Sequence, residues 1–405
     1  MLQSIEADAA REQLLQLPAA REKETVELKD AMGRVLAEDL TACVPMPPFH
    51  RSPLDGYAVR WQDTIDASPE HPVRLRVVEE LPAGKAPTQA VTPGTAAQIF
   101  TGAPMPEGAD SVIKYEEVCT DGADVLLSAP LKPCQNVVYQ GEEAEQGTLL
   151  LPAGTVLGPA ELGVLASQGK AQCTVWQRPK VVLLTTGSEL APLGQPLRGG
   201  QIYDSNGPMI SALLEQSGLS CVKVQCLPDR LEEIAAAIEA AWHTADLVLT
   251  TGGASVGDYD FAVAAARQVN ADILFWKVKM KPGSCILAAK RGEKVLISLS
   301  GNPGAAAVCL LRVVCPYLNQ LCGKREIFPE TVFLPLKEAM SKKSPVMRLL
   351  RGHMEIDHGK AVFAQNPKQG NGMITSLCGF ELLGEIPAGS PALEAGQMIR
   401  AYRFS

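Results

Sequence analysis

The densest chemistry in this 405-residue chain lies at residues 247–260. There Leu247-Val248-Leu249 runs into Thr250-Thr251-Gly252-Gly253, then Ser255, Gly257 and the acids Asp258 and Asp260. The apolar run is too short for a helix and reads as a buried parallel strand whose carboxyl end opens into a glycine loop. Without a Cβ in the way, backbone N–H groups of such a loop can approach a phosphate. Asp258 and Asp260 add carboxylates able to hold a metal on the same ligand. Together they point to a phospho-ligand that is processed.

Other candidates have bland readings beside the chemical ones. Glu189 follows Thr185-Thr186-Gly187-Ser188 at another strand end, where a carboxylate either caps a helix or serves a site. Lys277, Lys279 and Lys281 alternate in an extended segment, which puts three ammonium groups on one face. That is either a lysine-protected edge strand or an anion site leading into Pro282-Gly283. Asp229, in Pro-Asp-Arg ahead of a helix, reads as an N-cap, and Asp55-Gly56 taken alone is a turn. Arg348 and Arg351 straddle two leucines; Arg favours planar oxyanions, although exposed strand arginines are common. The five histidines are isolated, with no Ser-His-Asp or His-Glu-x-x-His arrangement, which makes nucleophilic hydrolysis and zinc-protease chemistry poor readings.

The elements that must position these groups follow from the pattern. Residues 1–40 show helical periodicity through Ala9, Leu14, Leu15, Val26, Leu28, Met32, Val35 and Leu36, and a proline cluster at 44–49 ends it. Short β-like runs fill 50–150. A helix is expected at about 158–168. From 180 to about 322 strands and helices alternate, predicting an α/β domain with a mostly parallel sheet and helices near 208–216 and 231–242. Three strand ends carry glycine loops: 185–189, 250–253 and 300–304. In open α/β sheets ligands bind at such ends, so one crevice is expected. Period-two alternation after 328 predicts a β-barrel or sandwich. The expected domains are a helical linker domain (1–44 with 148–178), an inserted β-rich domain (45–147), the α/β domain (179–326) and a C-terminal β-barrel domain (327–405).

Composition sets the limits. A net charge of −8 argues against a nucleic-acid surface, and eleven scattered cysteines without a Cys-x-x-Cys pair argue for reduced thiols. No apolar run nears the roughly 18 residues of a membrane span. Residues 1–6 lack the features of a signal peptide, so a cytoplasmic protein is expected.

Seven motifs in order resemble the molybdopterin molybdenumtransferase family, which includes the E domain of gephyrin. They are Leu-Asp-Gly-Tyr-Ala at 54–58, Thr-Gly-Ala-Pro-Met-Pro-Glu-Gly-Ala-Asp at 101–110, Thr-Gly-Ser-Glu-Leu at 186–190, Ile-Tyr-Asp-Ser-Asn at 202–206, Thr-Gly-Gly-Ala-Ser-Val-Gly-Asp-Tyr-Asp at 251–260, Lys-Pro-Gly at 281–283 and Gly-Asn-Pro at 301–303. The resemblance implies a homodimer that inserts molybdate into adenylylated molybdopterin with Mg²⁺ and releases AMP, with the molybdopterin adenylyltransferase as a further partner and no membrane or nucleic acid. By the same resemblance the acids Asp55, Glu189, Asp229, Asp258 and Asp260 are catalytic, with Glu189, Asp258 and Asp260 on the metal. Thr101, Thr186, Gly252, Gly253, Ser255, Gly257, Lys277, Lys281, Asn302, Pro303, Arg351 and Asn371 bind substrate. Departures fall on the oxyanion side: Ser284-Cys285 replaces Lys-Pro, Ser300 replaces Pro, Val137–Glu143 replaces an arginine-rich run, and Asn371 replaces Ser. The competing expectation is a divergent paralogue that carries the finished cofactor, or handles tungstate, without efficient insertion.

Overall fold

The computed structural model describes residues 2–19, 21–253, 261–341 and 343–404. It divides into two compact units, one of Met1–Glu38, Ala153–Pro159 and Gln172–Ser405, the other of Asp39–Pro152 and Ala160–Ala171.

A seven-stranded sheet forms the centre of the first unit. Its strands, edge to edge, are Leu2–Ile5, Asp272–Val278, Ile286–Arg291, Lys294–Leu299, Leu247–Thr251, Lys180–Thr186 and Ser220–Leu227. Pairing is parallel except where Ile286–Arg291 lies antiparallel to both neighbours. The inner strands are buried along almost their whole length and mostly apolar because both faces are covered. Val181, Leu183, Leu247, Leu249, Val295 and Ile297 enter one core with Ala7, Ala10, Leu14, Ile210 and Leu214. Val182, Leu184, Val248 and Leu296 enter a second core with Ile234, Ile238, Trp242 and Ala265. From Lys180–Thr186 the chain crosses first to the Ser220–Leu227 edge and then to Leu247–Thr251 on the opposite side. The order therefore reverses at Lys180–Thr186, and an open α/β sheet leaves its ligand crevice at such a reversal.

The last strands of this unit, Met347–Asp357, Leu382–Ile386, Met398–Arg403 and Thr331–Pro335, pair in that order, with Lys360–Gln365 beside the first. A Leu336–Phe363 bridge joins the two ends of this ladder and closes it. Phe363, Leu350, Leu382 and Ile399 fill the inside.

The second unit holds a six-stranded sheet in the order Ser111–Lys114, Gly56–Val59, Thr95–Ile99, Val73–Leu81, Asp124–Leu127, Val118–Asp121. Both its faces are apolar, one around Tyr57, Val59, Leu75 and Ile113, the other around Ala58, Leu81, Ala97 and Val112.

Helical periodicity over the first forty residues is corrected. Among the described residues of this stretch only Ala7–Leu15 is α-helical, and Pro18 follows closely because it cannot continue a helix. Val26 lies on the strand Lys23–Glu27, opposite Cys173, in an alternating burial pattern suited to its β-branched neighbours. Leu28 begins a single 3-10 turn, and Val35 and Leu36 make isolated bridges to Val156 and Val175. The helix expected from 208 starts two residues earlier, at Asn206, because Asp204 Oδ1 accepts the Gly207 N–H at 2.9 Å. The helical run Pro303–Leu321 reaches membrane-span length and apolarity, an exception to the sequence expectation. Some 83% of it is buried within the protein, the environment of a core helix.

Candidate functional site

Three strand ends meet as the sequence pattern requires. A cleft of about 640 Å³ is lined by Thr186, Gly187 and Glu189 from one, Thr251, Gly252 and Gly253 from the second, and Ser300, Gly301, Asn302 and Pro303 from the third. Tyr203 to Asn206, Asp229, Cys285, Gly372 and Ile374 complete the wall.

Glycine makes the convergence possible. A Cβ on Gly252 would stand 2.2 Å from the Thr186 carbonyl oxygen, and φ there is +95°. A Cβ on Gly301 would meet the Gly252 Cα at 3.3 Å. Backbone thus packs on backbone, leaving space above it for a ligand.

The polar groups of the wall are tied to one another. Asp229 is not the N-cap that Pro-Asp-Arg promised; Arg230 occupies that position. Instead Asp229 Oδ2 accepts the Ser188 N–H at 3.0 Å while Ser188 Oγ accepts the Asp229 N–H at 3.1 Å. This reciprocal pair clamps the loop that carries Glu189. Asp204 accepts from Thr185 Oγ1 at 2.7 Å as well as from Gly207. Asn206 Nδ2 donates to the Gly301 carbonyl at 2.9 Å and cross-links two of the loops. The Glu189 carboxylate is exposed and makes no hydrogen bond or ion pair among the described residues.

Sequence reasoning missed Asp204 and Asn206. Both lie in the Ile-Tyr-Asp-Ser-Asn stretch that carried part of the resemblance, and that stretch was the available signal.

Other expected residues fall elsewhere. Ser255, Gly257, Asp258 and Asp260 lie outside the described residues. The three lysines do not share a face, because Lys277 has φ +67° and breaks the extended alternation. Lys277 Nζ sits 4.0 Å over the Trp276 ring, Lys279 pairs with Glu6 at 2.9 Å, and the exposed Lys281 has no ion-pair partner among the described residues. Neither Lys277 nor Lys281 lines the cleft.

Arg351 is neither an exposed strand residue nor a cleft-lining group: it is fully buried. Its Nη2 donates to the Gly370 carbonyl at 3.2 Å while Nε and Nη1 have no hydrogen-bond partner among the described residues. Burial draws its pKa down from the usual guanidinium range. A Cβ on Gly304 would lie 2.8 Å from Nη1, so the side chain sits directly behind the Asn302–Pro303 wall. Asn371 is exposed, and it is the main-chain oxygen that accepts the Ala305 N–H, at 3.1 Å.

In the second unit Asp55 Oδ1 accepts the Thr101 N–H at 2.7 Å and the Thr101 hydroxyl at 2.8 Å. These bonds hold the Asp55 carboxyl below the usual carboxylate range.

A divalent cation would find hard oxygen donors here, the type Mg²⁺ prefers. Of these, Asp204 and Asp229 are engaged by hydrogen bonds and Glu189 is free. Among the described residues no three such side chains lie close enough to hold an ion.

An α/β sheet with its crevice at the reversal of strand order, in a chain that also carries β-rich parts, defines a multidomain α/β-plus-β class with one ligand cleft in its α/β part. Residues 5–169 match the family description "MoeA N-terminal region (domain I and II)" and residues 182–320 "Probable molybdopterin binding domain". A molybdopterin molybdenumtransferase of Staphylococcus aureus is 33% identical over 375 residues, covering 93% of this chain and 90% of that protein. Its Staphylococcus epidermidis counterpart is 32% identical over 374 residues, covering 92% and 89%. A molybdopterin biosynthesis MoeA protein of Pyrococcus horikoshii has a similar structure, with a TM-score of 0.85, 28% identity and coverage of 99% and 100%. The chain belongs to the molybdopterin molybdenumtransferase family, a family of transferases in molybdenum cofactor biosynthesis. The carrier alternative is not favoured by these relatives.

Proposed function

We propose that this chain inserts molybdate into adenylylated molybdopterin and releases AMP, in a Mg²⁺-dependent reaction in the cytoplasm. The observation that carries the reading is the convergence of three glycine-bearing strand ends on one cleft beside the free Glu189 carboxylate. Gly253 offers its N–H to a phosphate, while the Gly252 N–H donates to the Leu299 carbonyl at 3.3 Å. Glu189, on the loop held by the Ser188–Asp229 pair, is proposed as a metal ligand together with Asp258 and Asp260. Mg²⁺ bound there would polarise the phosphoanhydride, so that no protein nucleophile is needed. Asn302 and Pro303 form the opposite wall, and Arg351 places positive charge behind it, toward an oxyanion. Thr101 fixes Asp55, which we assign to the same reaction, along with Ser255, Gly257, Lys277, Lys281 and Asn371 as substrate contacts.

The test is AMP release from adenylylated molybdopterin by the purified protein. Release should require both Mg²⁺ and molybdate or tungstate. Release no faster than in a protein-free control overturns the reading.

We further infer a homodimer. The edge strand Ser220–Leu227 has no second neighbour in the sheet among the described residues and exposes Val222 and Val224. Leu193 and Val224 border an apolar groove of about 760 Å³ beside it. An open apolar edge of this kind is a pairing hazard unless it is covered.

A further inference from the structure

The cleft contains two polar atoms that the protein itself does not satisfy. Thr186 Oγ1 and Asn206 Oδ1 are sealed from solvent and have no hydrogen-bond partner among the described residues. Each residue is only 7% exposed, and both line the cleft. Native proteins keep few such atoms because each one destabilises the fold. Two in one cleft call for a partner from outside.

The chemistry of each atom is set by its neighbours. Asn206 Nδ2 points at the Gly301 carbonyl, 2.9 Å away, and lies 3.4 Å from Thr251 Oγ1. A flipped amide would set oxygen against that carbonyl, so Oδ1 is the free atom and can only accept. Thr186 Oγ1 can donate or accept. The Gly252–Gly253 turn lies against the hydroxyl: a Cβ on Gly252 would stand 2.6 Å from it, and one on Gly253 3.5 Å. Gly252 and Gly253 have φ of +95° and +61°. Glycine can leave such conformations at little steric cost, so among the described residues this turn is an element able to uncover the hydroxyl.

We propose that Asn206 and Thr186 read the hydrogen-bonding edge of the pterin ring once the Gly252–Gly253 turn shifts. Asn206 Oδ1 accepts from an N–H on that edge, and the Thr186 hydroxyl bonds the adjacent polar atom. The proposal rests on the reading that the cleft takes adenylylated molybdopterin. That substrate carries two heterocycles, and the pterin suits an acceptor-only atom better. Its pyrimidinone edge presents an amino group and a ring N–H side by side next to a carbonyl. Adenine presents one amino donor beside an unprotonated ring nitrogen.

The experiment measures KM and kcat for adenylylated molybdopterin, the inhibition constant for AMP, and the thermal midpoint. It compares wild type with Thr186→Val, Thr186→Ser and Asn206→Ala. For Thr186→Val, KM should rise about tenfold, the scale of one lost hydrogen bond. Its kcat and AMP inhibition should stay unchanged, and its midpoint should stay level or rise because a methyl replaces an orphan hydroxyl. Thr186→Ser should restore KM. Asn206→Ala should raise KM as well, and if it fails to fold, the Thr186 pair decides alone. An unchanged KM in Thr186→Val overturns the proposal, as does weakened AMP inhibition, which would move the pair to the adenine. Wild-type protein without AMP release sinks the parent reading instead, and this proposal with it.

Discussion

At the scale of single residues, the cleft depends on atoms that are missing. Gly252 has a backbone conformation that L side chains rarely adopt, and the Thr186 carbonyl occupies the space a methyl would need. Gly252→Ala should therefore cost about 2–3 kcal/mol of stability, combining backbone strain with a clash. It should also reduce AMP release sharply, whereas Gly292→Ala, with no atom within 4 Å of the added Cβ, should pay the backbone term alone. Denaturant midpoints and initial rates check both. Residue types announced the glycine loops and Glu189 because strand-end position and composition are local signals. They could not announce Asn206, whose role comes from a carbonyl 95 positions away. Nor could they reveal that Lys277 turns out of the extended region and separates the lysine triplet.

At the scale of elements, local anchoring shows in Glu79 near the end of the strand Val73–Leu81. Its carboxylate accepts the Thr88 N–H at 2.9 Å, the Thr88 hydroxyl at 2.8 Å and the Gln89 N–H at 3.0 Å, with Lys85 at 3.2 Å. The Thr88 backbone bond leads the effects that lower its pKa to about 2. A carboxyl depressed in the folded state stabilises above its unfolded pKa and loses that contribution as pH falls through the folded value. Stability of the second unit should thus decline between about pH 4.5 and pH 2. Glu79→Gln should be less stable at neutral pH and flatter across that window, as urea midpoints measured against pH will show. Elements were most legible where burial on both faces produced uninterrupted apolar runs, as in 181–184 and 247–249. The opening segment misled because spaced apolar residues at 26–36 mimic a helical period, while their partners are strands or bridges near 156 and 173–175.

At the scale of the whole molecule, Arg312 joins distant parts of the first unit. From the helical run Pro303–Leu321 it reaches Asp8 at 2.7 Å and Glu385 at 3.1 Å, and Tyr402 donates to the same Glu385 at 2.7 Å. Removing it would leave Glu385 buried without its main counter-charge. Arg312→Ala should cost about 3–5 kcal/mol, read as a lower unfolding midpoint of this unit. The proposed homodimer should persist in dilute light-scattering measurements and shift to monomer in Val222→Glu/Val224→Glu. A dimer that survives both substitutions places its interface elsewhere.

The pairing of Leu2–Ile5 with Asp272–Val278 also bears on the order of events at the ribosome. Leu2–Ile5 has no partner in the sheet until synthesis has passed Asp272–Val278. Meanwhile Asp39–Pro152, the greater part of the second unit, is complete and can fold. The earliest residues must stay unpaired through that interval, and the large sheet gains this edge among its last steps. Contacts so far apart in sequence make slow folders. Deleting residues 2–5 should therefore leave the early-made unit intact and expose the late-made sheet at Asp272–Val278.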